Sequence, residues 1–228
     1  MDARDASLWY DVGCLHALNS QLDAAQDALR RALALNPALP EAHDALGQAS
    51  EQAGNTAAAN AAYGEAVSLA PQNAKFLRHR IRTLLQLNEP EAARNALQDL
   101  LRIDPNDLDA RCQLGILELR ANAPDLAIHT FQTVVERDPA RVIAWNGLGL
   151  GYARLGTFDL AQAALGKAAA LEPDNPATQN NLGVVAAAQA RWTEAREAWE
   201  RTQHLDPDFA PAKRNLDLME PSGSLPPQ

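Results

Sequence analysis

The sequence predicts an all-α solenoid, built from antiparallel helix pairs that follow one another along the chain. Three observations carry that reading. Pro37, Pro71, Pro105, Pro139, Pro173 and Pro207 stand 34 residues apart, and Pro cannot continue a helix, so each marks a helix end. In 34-residue units that start at residues 6, 40, 74, 108, 142 and 176, position 20 is always Ala: Ala25, Ala59, Ala93, Ala127, Ala161 and Ala195. Finally, 46 of the 228 residues are Ala and only 5% are aromatic, a composition that suits closely packed helices better than sheets.

Each unit divides into a helix A, a turn and a helix B. Repeat one (6–39) carries Trp9 and Gly13 on helix A, then Ala25, Leu29 and Ala32 on helix B. Repeat two (40–73) repeats the pattern with Gly47, Ala59, Tyr63 and Ala66, and its charges are Glu41, Asp44, Glu51 and Glu65 with no base. Repeat three (74–107) departs: Ile81 replaces Gly at position 8, Arg80 replaces the usual Leu at position 7, and four bases crowd helix A. Its Arg80 is expected to lay its stem over apolar neighbours with its head in water or paired. Repeats three and four (108–141) place Pro90 and Pro124 near the first turn of helix B, where Pro is tolerated. Repeat five (142–175) is the most regular, and repeat six (176–209) brings Gly183 and Trp199 to positions 8 and 24. Position 24 is always large, so the small residues at 8 and 20 predict close helix approach with large side chains filling the space beside it. Residues 210–219 begin another helix A and stop, as a cap over the last apolar face would; residues 220–228 read as a disordered tail. The whole of 1–219 is expected to be a single solenoid.

Composition excludes several functions. Lys+Arg 20 against Asp+Glu 29 gives a net charge of -9, which lacks the basic footprint of a duplex binder, so no nucleic-acid partner is expected. No apolar run approaches the length of a membrane span. Met-Asp-Ala-Arg-Asp lacks the apolar core of a signal peptide; a cytoplasmic location is expected, with the periplasm the alternative if a leader has been removed. Gly147, Gly149, Gly151 and Gly156 imitate a dinucleotide loop, but Tyr152 breaks the spacing and the segment lies inside helix A, so close packing is the plainer reading. The five His residues show no ligand spacing, and no metal site or cofactor is expected. Cys14 and Cys112 are three repeats apart, too far for a disulfide, and are expected as free thiols on the side lined by helix A. No Ser/His/Asp set appears, and no catalysis is expected.

Repeat five resembles the tetratricopeptide repeat most closely, through Trp145, Leu148, Gly149, Tyr152, Ala161, Leu165, Ala168 and Pro173. The resemblance extends over residues 6–209. It implies a right-handed superhelix whose concave face is lined by helix A at positions 2, 5, 9, 12 and 13, with position 6 at the edge. Glu41, Asp44, Gln48, Glu51 and Gln52 then face Lys75, Arg78, Arg82 and Gln86, followed by Asp109, Cys112 and Arg120. Either these charges pair internally, Glu41 with Lys75 and Asp44 with Arg78, or Lys75, Arg78 and Arg82 grip an acidic partner. The second half of the groove offers Ile143, Asn146, Leu150 and Arg154, then Asn180, Asn181 and Val184, then Arg214 and Asn215. An amide row of this kind either holds the backbone of an extended peptide or bonds between repeats. Positions 5 and 9 never show the Lys and Asn that the family's chaperone-tail clamps require.

The expected function is a non-catalytic protein-interaction scaffold that binds an extended peptide or partner helix through Lys75, Arg78, Arg82, Asn146, Leu150, Arg154, Asn180, Asn181, Val184, Arg214 and Asn215. The alternative is a structural or self-associating subunit of a larger complex, such as a bacterial envelope or secretion assembly. In that case the terminal helix around Leu8, Trp9 and Tyr10 mediates self-association, and the chain is a monomer or weak homo-oligomer. The Ala-rich, Lys-poor composition points to a bacterial source.

Overall fold

A computed structural model describes residues 3–219. Among these residues it contains thirteen helices and no strand: α1 (Ala3–Leu18), α2 (Leu22–Leu35), α3 (Pro40–Gln52), α4 (Thr56–Leu69), α5 (Ala74–Gln86), α6 (Pro90–Ile103), α7 (Leu108–Arg120), α8 (Pro124–Arg137), α9 (Val142–Arg154), α10 (Phe158–Leu171), α11 (Pro176–Ala188), α12 (Trp192–Leu205) and α13 (Ala210–Leu218). From α3 onward the A helices start 34 residues apart, at residues 40, 74, 108, 142, 176 and 210. The all-α fold of stacked antiparallel helix pairs is therefore the one the proline period predicts. The tail 220–228 lies outside the described residues. No helix among them is long and apolar enough to cross a membrane.

The helices form two compact units, residues 1–110 and 111–228. Within each, the same interlock recurs. A Cβ on Gly47 would lie 2.5 Å from Tyr63 Cε1, and one on Gly149 would lie 2.5 Å from Leu165 Cγ. The position-8 glycine therefore leaves the socket into which the large residue at position 24 of the same hairpin fits. Tyr63, Leu165 and Trp199 are all buried in such sockets. Gly151 does the same toward the preceding hairpin, where Ile128 occupies the room its missing side chain leaves. The glycine run of α9 thus serves close packing, Gly147 and Gly151 against α8 and Gly149 against α10, as the plainer reading of that motif expects.

The turns show a second regularity. Position 15 of every repeat is left-handed: Ser20, Gly54, Asn88, Asn122, Gly156 and Ala190 all have φ between +55° and +79°. The next residue donates its N–H back to the carbonyl five residues earlier, from Gln21 to His16 through Arg191 to Ala186, at 2.9 to 3.0 Å. This closes each A helix and satisfies an otherwise orphaned carbonyl. At the other turn, the short polar residue before the proline has a role of its own. Asn36, Asp104, Asp138 and Asp206 accept the N–H two residues on through their side chains, which turns the chain around the proline.

At the C-terminal end of the second unit, α13 covers the last hairpin. Ala212 and Met219 are buried with Trp199, and Phe209 and Leu216 pack beside them, while Lys213, Arg214 and Asp217 stay exposed. Arg80 meets its expectation only in part. Gly64 leaves room beside its guanidinium, yet its Nε is buried with no hydrogen-bond partner among the described residues.

Candidate functional site

The A helices of the first unit carry a connected charge network. Asp44 on α3 is almost fully buried, 2% exposed, and a buried carboxylate needs partners. It has three: His79 Nδ1 at 2.6 Å, Lys75 Nζ at 3.2 Å, and Gln48 Nε2, which donates across 2.7 Å. Burial alone would raise its pKa, but the hydrogen bonds and charges of His79 and Lys75 outweigh that and hold it below the ordinary carboxylate value. Arg82 donates to both Glu51 oxygens, at 2.7 and 2.5 Å, and Tyr63 OH donates to the same carboxylate at 2.9 Å. Glu51 is held low despite its burial, by Arg82 and Tyr63, and the Tyr63 hydroxyl is pushed up by its own burial and by Glu51.

This network corrects the pairing register expected from sequence. Lys75 reaches Asp44 rather than Glu41. Arg78 turns from Asp44 to the end of its own hairpin, donating to Asp107 at 2.9 Å and Asp104 at 3.3 Å. Asp44 is buried and draws both Lys75 and His79, whereas Glu41 is exposed. The basic helix of repeat three therefore has every groove-facing cation engaged inside the protein. A cleft of about 340 Å³ adjoins it, lined among others by Tyr10, Cys14, Gln48, Gln52 and Lys75. Burial, with Cys14 beside it, pushes the Tyr10 hydroxyl up to about 12.

In the second unit the amides interlock. Asn215 Nδ2 donates to Asn180 Oδ1 (3.3 Å), Asn180 to Asn181 (3.4 Å), Asn181 to Asn146 (3.5 Å), and Asn146 to Thr178 Oγ1 (2.8 Å). Asn146, Asn180 and Asn181 are buried, and Trp199 Nε1 donates to the Asn180 carbonyl at 3.2 Å. Bonding between repeats thus occupies much of the amide row's capacity.

Beside this row lies a larger cleft of about 720 Å³. Ile116, Leu119, Ile143 and Leu150 supply its apolar lining, and Arg120, Arg154, Asn146 and Asn181 its polar groups. Of the residues expected to bind a partner, Asn146, Leu150, Arg154 and Asn181 come together here. Asn180 is buried in the row behind, Val184 packs against the Trp199 cluster, and Arg214 and Asn215 lie on α13 outside the cleft lining. Ile116 and Leu119 occupy groove positions 9 and 12, so the period alone could have named them. Arg141 at the rim occupies position 34, and nothing in the pattern singles it out. Cys14 lines the smaller cleft, whereas Cys112 is buried in the second unit; both are free thiols.

Arg154 donates to the Leu119 carbonyl in the last turn of α7, which fixes its head at the mouth of the cleft. Arg120 occupies the same register one repeat earlier and is exposed. Among the described residues it has no ion-pair or hydrogen-bond partner. At the opposite end, Glu172 accepts from Asn175 at 2.8 Å.

Models of the tetratricopeptide repeat match residues 6–39, 50–111, 84–149 and 149–208. No curated protein matches the sequence. Among solved structures, the chain is similar to YrrB, described as a TPR protein with an unusual peptide-binding site, at 20% identity and TM-score 0.65 over 85% of this chain and 100% of that one. It is similar to MamA of Desulfovibrio magneticus RS-1 at 21% identity and TM-score 0.63, over 78% and 97%. It is also similar to Pseudomonas aeruginosa pilF at 16% identity and TM-score 0.64, over 94% and 97%. At these identities the likeness is one of fold.

Proposed function

The chain belongs to the tetratricopeptide repeat family, and from that premise we propose that it is a non-catalytic scaffold whose A-helix face binds an extended peptide or partner helix. The observation that carries the reading is the 720 Å³ cleft of the second unit. It combines exposed apolar surface, with Ile143 47% exposed, and polar groups from three successive A helices, as a peptide site requires. The peptide-binding site ascribed to YrrB supports the reading by analogy of fold. A pull-down from source cells with the intact chain and with Ile143→Asp tests it. Partners retained by the intact chain and lost by the variant, at equal melting temperature, are expected. A partner set unchanged by the substitution counts against the cleft.

One observation favours a second reading, a self-associating assembly subunit. Leu8, Leu15 and Leu18 on α1 are 61%, 60% and 82% exposed and share one side of that helix by their spacing. Sedimentation at rising concentration tests it: a constant monomer mass removes self-association, whereas a rise in mass abolished by Leu15→Glu supports it.

A further inference from the structure

We infer that the cleft of the second unit selects acidic segments: stretches of extended peptide that place Asp or Glu within three residues of a bulky apolar side chain. The inference rests on the peptide-binding reading and adds the ligand's chemistry. In the first unit, each groove-facing cation is matched by a carboxylate of the protein itself: Lys75 by Asp44, Arg82 by Glu51, and Arg78 by Asp104 and Asp107. In the second unit the balance differs. Arg120 has no partner among the described residues. Arg154 spends one donor on the Leu119 carbonyl, and a guanidinium has five. The acid that lines this cleft, Glu172, stands at its far end and is held by Asn175.

The two arginines occupy equivalent last-turn positions of α7 and α9, which are successive A helices with α8 between them in the chain. Their apolar neighbours Ile116, Leu119 and Leu150 line the same cleft. A carboxylate there gains charge-assisted, planar hydrogen bonds, while the neighbouring side chain leaves water among the aliphatic groups. Arg154 is already oriented by its carbonyl bond, so binding orders little that is not ordered beforehand. In an extended peptide, residues advance about 3.3 Å each, so a spacing of up to three residues spans the distance between packed helices of about 8–10 Å. The ligand sought is thus an internal acidic segment with an apolar anchor.

Selection from a randomised eight-residue peptide display library with blocked C termini tests this on the full chain. Enriched peptides are expected to carry Asp or Glu within three positions of Leu, Ile or Phe. Their affinity is expected to fall about tenfold in Arg120→Glu and to weaken as salt rises. The variant's melting temperature is expected to stay unchanged, because Arg120 is exposed and unpaired. The double variant Arg120→Glu with Arg154→Gln is expected to lose the acidic preference. Apolar peptides enriched without acidic residues, or binding indifferent to Arg120→Glu, overturn the acidic preference and leave peptide binding standing. No enrichment on the intact chain overturns both.

Discussion

Asp44 of α3 lies 2.6 Å from His79 of α5, one repeat further along, and this buried polar contact joins two hairpins. Asp44, Glu51 and Asp107 are each held below their usual carboxyl values: burial opposes the shift, and cations and N–H donors outweigh it. A depressed folded-state pKa contributes stability that is complete above the unfolded value and lost as pH falls through the folded one. Stability is therefore expected to be flat from about pH 5 to about pH 9 and to fall steeply below about pH 4. Denaturant titrations across that range check it. Asp44→Asn is expected to flatten the acid limb while lowering stability at neutral pH, by about 1–3 kcal/mol.

Two glycines in adjacent helices are expected to answer Ala substitution with opposite signs. A Cβ on Gly149 would lie 2.5 Å from Leu165 Cγ, whereas one on Gly166 meets nothing within 4 Å. Gly149→Ala is expected to destabilise by about 1–3 kcal/mol through overpacking. Gly166→Ala is expected to stabilise by up to about 1 kcal/mol through helix propensity. Thermal melts of the two variants decide it.

Ala190 holds φ 59° without being glycine, a conformation that costs an L-residue about 1–2 kcal/mol. Part of the relief is offset by the greater freedom of glycine in the unfolded chain. Ala190→Gly is expected to raise stability by about 0.5–1 kcal/mol, read as a rise in melting temperature of about 1–4 °C.

Arg80 stands where the other repeats have Val12, Leu46, Leu114, Leu148 and Leu182. Its buried Nε has no partner among the described residues, which carries a desolvation cost. Arg80→Leu is expected to raise stability by about 1 kcal/mol, measured by urea denaturation.

Asn181 bonds both Asn146 and Asn180 in the amide row. Asn181→Ala is expected to cost about 1–2 kcal/mol by leaving two buried amides short of a partner. Native-state hydrogen exchange, expected to quicken across α9 and α11 in the variant, checks the loss.

What could be read from sequence divides along physical lines. Pro37 to Pro207 and the sockets at Gly47 or Gly149 act through sterics, which repeat with the chain, so the period exposed them. The left-handed turn at position 15 is as regular in geometry, yet it is filled by Ser20, Gly54, Asn88, Asn122, Gly156 and Ala190. Those residue types share too little for the eye to find it. The ion pairs escaped for a different reason. Lys75 and Arg78 each had two carboxylates within reach, and burial of Asp44 chose between them, a quantity no spacing reveals. In the second unit the groove positions name Asn146, Leu150 and Arg154, which line one cleft. That Asn180 turns inward to its neighbours, while Arg120 is left without one, depends on packing depth.

The amide row also has a polarity. Each amide N–H₂ points toward the next member, from Asn215 through Asn180 and Asn181 to Asn146 and Thr178. Hydrogen bonds aligned head to tail strengthen one another, so the row behaves as a relay whose first link is anchored in the terminal helix. Asn146 and Asn181, towards its other end, line the cleft. A small helix at 210–218, distant in sequence from the arginines, thereby has a say in how firmly the cleft wall is held.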